Sequence, residues 1–457
     1  MCYTEYNRTK MPEKYFRKDI FMKIKTAEKS FEEVMAIKEK NVSKKSQKPK
    51  KPNILFRTLV RALSAPELIS TGFKCNKIGM ERLGKNEPCF ILMNHSSFID
   101  MKIAYAALYP RPFNIVCSLD AFVGKNWLMK QIGCIPTKKF VAELGLLRNI
   151  SYSLNKLNSS VLMYPEAGYS FDGTATTLPD TLGKFVKMLG VPLIMIRTYG
   201  AFSRDPLYNN LRKRKVKVSC DVSYLLSPDE IKEKSPEEIN AIIAEQFSFD
   251  NFRWQQENGI NINAPFRTDY LHRVLYRCPD CETEGEMYGK GIQIKCKACG
   301  KVHWLNEEGF LETFGEEAPK FDHIPDWFKW ERECVRREIE RGDYYLKTDV
   351  DIYMMVDTSK VYRVGEGELT HSSDGFKLRG CDGKLSYEQK PIASYSICAD
   401  YYWYEIGDVI CIGNNDALYF CFPKDEKVSV AKVRLAAEEL YKIAKEQRRG
   451  RDSNPKE

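Results

Sequence analysis

Between residues 73 and 225 short apolar runs alternate with helix-like stretches, and this alternation limits the possible folds more than any other feature. The runs are "CFILMN", "FNIVCSL", "SSVLMYP", "VPLIMIRTY" and "VKVSCDVSYLL". Between them lie "IDMKIAYAALY", "ELGLLRNISYSLNKL" and "LGKFVKML". Strands that are apolar at nearly every position must be covered on both faces. Joined by helices, they predict an α/β domain with a mainly parallel sheet flanked by helices. Sites in such sheets lie beyond the carboxyl ends of the strands. His95 and Glu166 both stand where an expected strand ends.

A chain of 457 residues exceeds what one core fills, which predicts two or three domains. A basic N-terminal segment and linker is expected over 1–52 and the α/β domain, led by an amphipathic helix, over 53–265. "SPEEINAIIAEQFSFDNFRWQQENG", with a capping box at Ser235 and Glu238, reads as the helix closing that domain. A cysteine module and following helix are expected over 270–345. A β-rich domain with a C-terminal helix is expected over 346–447. Of the net charge of +9, residues 1–51 carry +8, with 15 Lys+Arg against 7 Asp+Glu. An acidic partner, either a phospholipid surface or a nucleic acid, is therefore expected at the N-terminal segment. No apolar run reaches the ~18 residues of a membrane span, and "MCYTEYNRTK" does not read as a signal peptide. Fifteen cysteines without a secretion signal point to reduced thiols in the cytoplasm. Cys89, Cys117 and Cys220 sit in apolar runs and read as small core residues.

"NILFRTLVRALSAPEL" places Leu55, Leu59 and Leu63 on one helical face and Arg57 and Arg61 on another. Two readings fit: a helix docked on the domain core, or one lying in a membrane interface beside the Lys-rich linker.

"ILMNHSSFID" holds His95 and, five positions on, Asp100. A histidine near pKa ~6.5 accepts a hydroxyl proton at neutral pH. It does so best when a carboxylate fixes its other nitrogen. A strand-to-helix turn through "SSF" would bring the two together. Neither Ser96 nor Ser97 lies in a G-x-S-x-G elbow, which favours direct attack by a bound hydroxyl over an acyl-enzyme. H-x4-D recurs by chance; its specificity here comes from three later blocks in order, "GCIPTKK" at 133–139, "YPEAGYS" at 164–170 and "GVPLIMI" at 190–196.

Together these blocks resemble the phospholipid and glycerol acyltransferase family, of the lysophosphatidate acyltransferase type, over residues 75–225. The resemblance implies a glycerolphosphate acyltransferase-like fold. It also implies transfer of a fatty acyl group from acyl-CoA or acyl carrier protein to a lysophospholipid hydroxyl, most simply that of 1-acylglycerol 3-phosphate. By resemblance His95 is the general base and Asp100 its partner. Glu166 matches the third block's glutamate, which helps hold the acceptor, and Gly168 beside it is expected to bind substrate as well. Lys139, with Lys138 beside it, stands where the second block has an arginine and would face the acceptor phosphate. Tyr169 departs from the family's arginine, and Ala167-Gly168 from its Gly-Thr. Arg197, Arg204 or Arg212 would have to replace the missing phosphate contact. No catalytic cofactor is implied.

Cys278-x2-Cys281 and Cys296-x2-Cys299 have the spacing of a four-thiolate shell. One structural Zn²⁺ is expected, with no open position for catalysis, and His303 reads as an ordinary strand residue. Such ribbons often bind nucleic acid, so a zinc-ribbon nucleic-acid-binding protein is an alternative; an inactive lipid-binding scaffold is another. "DCETEGEMYGK" is acidic, so nucleic acid is not the expected partner. From about 348 short strands such as "DIYMMVD", "GFKLRG" and "ALYFCFP" precede a final helix, an element order that resembles a pleckstrin-homology-like domain. "YYWYEIG" reads as sheet core. The expected protein is cytoplasmic and peripheral on the inner face of an anionic membrane.

Overall fold

The computed structural model describes residues 23–42, 48–141, 143–315 and 318–452. Strand β1 (Thr26–Glu28) and helix α1 (Phe31–Val42) come first, then α2 (Ile54–Ser70). The α/β domain runs through β2 (Lys74–Ile78), β3 (Phe90–Met93), α3 (Asp100–Leu108), β4 (Phe113–Ser118), α4 (Asn126–Gln131), β5 (Cys134–Thr137), α5 (Leu144–Asn155) and β6 (Ser160–Met163). It continues through α6 (Leu182–Leu189), β7 (Leu193–Tyr199), α7 (Ala201–Arg204), β8 (Ser219–Leu226), α8 (Pro228–Glu233), α9 (Pro236–Phe247) and α10 (Asn251–Glu257).

The sheet order is β2-β8-β7-β3-β6-β4-β5. Neighbours run parallel except β7 and β8, so the sheet is mixed. No helix crosses the sheet between those two strands; the chain turns back and β8 returns antiparallel. Side chains of β3 alternate between two cores. Phe90 and Leu92 join Val161, Leu193 and Met195, while Ile91 and Met93 join Leu162, Ile194 and Ile196. This is why the strands are apolar at every position. β3 lies between β6 and β7, so His95, Glu166 and Arg197 follow or end neighbouring central strands.

Asn53 caps α2, its side chain accepting the Leu55 N–H at 2.8 Å. The helix is oriented with its leucines outward: Leu55, Leu59 and Leu63 are 75%, 51% and 69% exposed. Arg57, Ser64 and Leu68 are buried, and Arg57 Nη1 donates to the Pro110 carbonyl at 2.8 Å. Phe56 and Val60 pack on the core. The stretch from Ser235 onward forms two helices. Ser235 and Glu238 make the capping box of α9, and Asp250 caps α10 after a break at 248–250.

A small antiparallel sheet follows, of order β12-β11-β10-β9, from β9 (Met287–Lys290), β10 (Gln293–Cys296), β11 (Val302–Leu305) and β12 (Leu311–Thr313). Helix α11 (Ile324–Arg341) leads to seven strands: β13 (Leu346–Met355), β14 (Val361–Ser372), β15 (Gly375–Gly380), β16 (Leu385–Gln389), β17 (Cys398–Trp403), β18 (Gly407–Gly413) and β19 (Leu418–Pro423). Their order is β16-β15-β14-β13-β19-β18-β17, antiparallel throughout, and α12 (Val430–Asp452) packs beside α11 and β17.

Part of the basic segment expected over 1–52 is built into the fold. β1 adds to β14 in parallel, and Val34 of α1 is buried in the core that also holds Val350 and Tyr362. The remainder of that segment's charge lies partly outside the described residues, at 1–22 and 43–47.

Candidate active site

The turn after β3 is fixed by its own polar groups. Asn94 Oδ1 accepts the backbone N–H of Thr198 on β7 at 2.9 Å and its hydroxyl at 3.2 Å. Asp100 opens α3 and is fully buried. Its Oδ2 accepts the N–H groups of Ser96 (2.7 Å) and Ser97 (3.0 Å) and lies 3.1 Å from His95 Nδ1. Strand end and first helical turn thus meet as the spacing anticipated. The His95 ring lies between Tyr164 and Tyr169, with centroids 4.2 and 4.1 Å away, and keeps 21% of its side chain exposed. Burial pushes the imidazole below its ordinary pKa. The Asp100 carboxylate opposes that shift and the Lys139 charge adds to it.

Glu166 does not face the large cavity in front of His95. Its Oε2 accepts the His95 N–H and its Oε1 the Thr176 N–H, both at 2.8 Å. It pins the "NHSSFID" turn to the "YPEAGYS" loop; burial raises its pKa to about 7 against those two bonds. Ala167 occupies a left-handed conformation, φ 54°. Gly168 lies near Arg434 of α12, whose Nη1 would be 4.0 Å from an added Cβ. Arg197 points away as well: its Nε donates to the Gln246 carbonyl at 2.9 Å, behind the turn. Glu166 and Arg197 direct no side chain into this cavity and instead brace the turn behind it.

Lys138 and Lys139 do line the cavity, which encloses about 3270 Å³. The Lys138 ammonium donates to the Asn415 carbonyl. Burial alone would push Lys139 down, but the neighbouring Cys398, Asp120 and Asp400 outweigh it and hold the ammonium above its ordinary value. Burial pushes Asp400 up to about 6, with Lys139 opposing.

The cavity has a wall that the "H-x4-D" pattern did not announce. Asp400 and Tyr402 of β17 and Tyr404 of the β17–β18 turn line it. Tyr402, Tyr404 and Glu405 have φ of 50°, 47° and 66°, so this turn is strained where it meets the site. "YYWYEIG" divides: Tyr401 and Trp403 are buried, whereas Tyr402 is exposed. Other bonds tie the C-terminal domain to the loops that line the cavity. Ser394 donates to the Phe140 carbonyl at 2.8 Å, Tyr395 to that of Pro165 at 3.4 Å, and Arg434 to that of Tyr169 at 3.4 Å. These residues lie more than 200 positions from the loops they hold, and no local pattern marks them.

Among the described residues, Cys278, Cys281, Cys296 and Cys299 form a cluster that could hold a metal ion, with all four Sγ within 4.8 Å of one another. The Cys278–Cys299 and Cys281–Cys296 sulfur distances are both 3.7 Å. Tetrahedral ligation with metal–sulfur bonds of about 2.3 Å requires edges of about 3.8 Å, so the residues fit a four-coordinate metal. His303 is buried on β11 against Trp327, outside this cluster.

Residues 74–197 match the family model described as Acyltransferase. No curated protein matches the chain. Among solved structures, the chain is similar to the 1-acyl-sn-glycerophosphate (LPA) acyltransferase PlsC from Thermotoga maritima. The identity is 14% and the TM-score 0.34, over 41% of this chain and 76% of that one.

Proposed function

The chain carries an acyltransferase-family domain over residues 74–197, and from that premise we propose that it transfers a fatty acyl group from a thioester carrier to a lysophospholipid hydroxyl. The observation that carries this reading is His95 Nδ1 at 3.1 Å from Asp100 Oδ2, in a ring pocket that opens on a large cavity. Asp100 keeps the proton on Nδ1, so Nε2 is the base. The acceptor oxygen attacks the thioester carbonyl carbon while its proton passes to Nε2. The C–O bond forms, the C–S bond breaks, and the proton leaves on the carrier's sulfur. The serines serve the turn: Ser96 Oγ accepts from Asn94, and Ser97 Oγ from the Ile99 N–H.

The acceptor we favour is 1-acylglycerol 3-phosphate, with acyl-CoA or acyl carrier protein as donor, in phospholipid synthesis. We favour work at an anionic membrane surface, peripherally and on the cytoplasmic face; attachment to a surface is supported by the outward Leu55, Leu59 and Leu63 of α2. Leu59 and Leu63 line the cavity mouth together with exposed Phe98 and Met101. No described helix is long and apolar enough to cross a membrane. For the cysteine cluster we favour one structural Zn²⁺, which would hold the two knuckles together and supply no catalytic position.

The test is acyl transfer by purified protein, given labelled acyl-CoA or acyl carrier protein and a panel of lysophosphatidate, glycerol 3-phosphate and other lysophospholipids. Transfer to lysophosphatidate is expected, falling by roughly 10²–10⁴-fold in His95→Ala. An unacylated panel, or an equally active variant, would rule the reading out.

A further inference from the structure

Lys139 is the cation that the second block offers to a phosphate, yet it already sits in the field of Asp120 and Asp400. A second group of cations beside the same cavity is arranged differently. Lys102 on α3, Arg204 on α7 and Lys213 before β8 all reach one carboxylate, Glu67 of α2. Lys213 Nζ is 2.8 Å from Glu67 Oε1. Arg204 also holds Asp205 at 3.2 Å. The group adjoins the catalytic pair. Ser97 and Asp205 line the same cavity, and the Ser97 N–H donates to Asp100 Oδ2 at 3.0 Å. Glu67, Lys102 and Lys213 line the cavity that holds His95, beside the exposed apolar side chains of Leu63, Phe98 and Met101.

One ion pair would tie α2 to the domain. Two more cations on the same carboxylate repel each other and the first. Convergent ammonium and guanidinium groups, left with excess positive charge, are suited to phosphate oxygens. We propose that Lys102, Arg204 and Lys213 form the seat of a phosphate monoester carried by one of the two substrates, and that Glu67 fills this seat when no phosphate is bound. The seat itself is independent of the acyl-transfer reading; which substrate brings the phosphate rests on that reading. A phosphate dianion offers more charge and one more terminal oxygen than Glu67, so it displaces the carboxylate. Phe56 and Val60 keep α2 on the core when it does. The apolar rim beside the seat favours the lipid acceptor as the source, its chain lying along Leu63, Phe98 and Met101.

Full-length protein is titrated calorimetrically with dodecyl phosphate and, separately, with coenzyme A. Lys102→Ala and Lys213→Ala are each expected to weaken dodecyl phosphate binding about tenfold, while Lys213→Arg keeps it and Glu67→Gln tightens it. The same pattern with coenzyme A alone assigns the seat to the donor. If neither ligand responds to the variants while their thermal midpoints match wild type, the proposal is overturned. Lys213 is half-exposed, so its variants carry the test should Lys102→Ala fail to fold. Turnover is not required. Phosphate binding with this pattern in a protein that acylates nothing leaves the seat standing and removes the acyl-transfer reading.

Discussion

The imidazole of His95 is enclosed by two tyrosine rings, and its acid–base behaviour follows from that enclosure. Burial disfavours the protonated form, so the neutral base persists below the usual histidine range near 6.5. kcat/KM is expected to rise with pH through a midpoint below ~6.5 and then to level off. Asp100 raises the His95 pKa, so Asp100→Asn should move the midpoint lower still and reduce kcat by roughly 10³–10⁴. A midpoint displaced upward, or an unchanged rate, would show that Asp100 does not govern the ring. Ala167 presents a different constraint. The family block has glycine where this chain has alanine at φ 54°. Ala167→Gly relieves about 1–2 kcal/mol of left-handed strain against about 0.4–1 kcal/mol of added unfolded-state freedom. A net gain centred on about 0.8 kcal/mol, within roughly 0–1.6 kcal/mol, should appear as a higher urea midpoint with unchanged slope. His95, Asp100 and the Ala167 departure were legible as letters. The braces were not, because Glu166 and Arg197 have the composition of a ligand site and only their partners, two backbone N–H groups and the Gln246 carbonyl, give them structural work.

Helix α2 shows what periodicity settles at the scale of an element. Its two faces were readable, but which one points outward depends on a partner elsewhere: Arg57 turns inward because the Pro110 carbonyl receives it. Replacing Leu55, Leu59 and Leu63 together by serine removes apolar area that the fold leaves exposed. Stability should change by less than about 0.5 kcal/mol per site. Sedimentation with anionic vesicles should weaken by about 100-fold, taking roughly 1 kcal/mol for each partly inserted leucine. Unfolding of the triple variant with vesicle binding intact would instead make α2 a docked helix. The strand–helix alternation predicted the α/β sheet correctly because its central strands β3, β6 and β7 are covered on both faces. It missed the antiparallel return of β8, since an apolar strand reads alike in either direction. The single long helix expected after Ser235 fails at 248–250, where Asp250 caps a new start.

At the scale of the whole molecule, the cysteine module stands between the catalytic and C-terminal domains. Arg273, just before Cys278, accepts the Tyr401 hydroxyl on its carbonyl at 2.9 Å and pairs with Asp408 at 3.3 Å. A metal lost from the cluster should therefore loosen the β17–β18 wall of the cavity. Metal analysis is expected to find one zinc per chain. Cys281→Ser should lower the thermal midpoint and reduce acyl transfer together, by several kcal/mol of stability on the scale of structural zinc sites; a metal-free variant of wild-type stability would refute this. These inter-domain ties escaped the sequence because each joins residues far apart in the chain. The same is true of β1, which pairs with Val361–Arg363. Those partners emerge from the ribosome roughly 330 residues later, about 20–70 s at ordinary elongation rates. During synthesis the catalytic segment is thus free to fold as an insert inside an unfinished neighbour. The β-rich domain obtains its first strand only after most of the polypeptide has been made, so the order of translation separates the building of the base from the closing of its cavity.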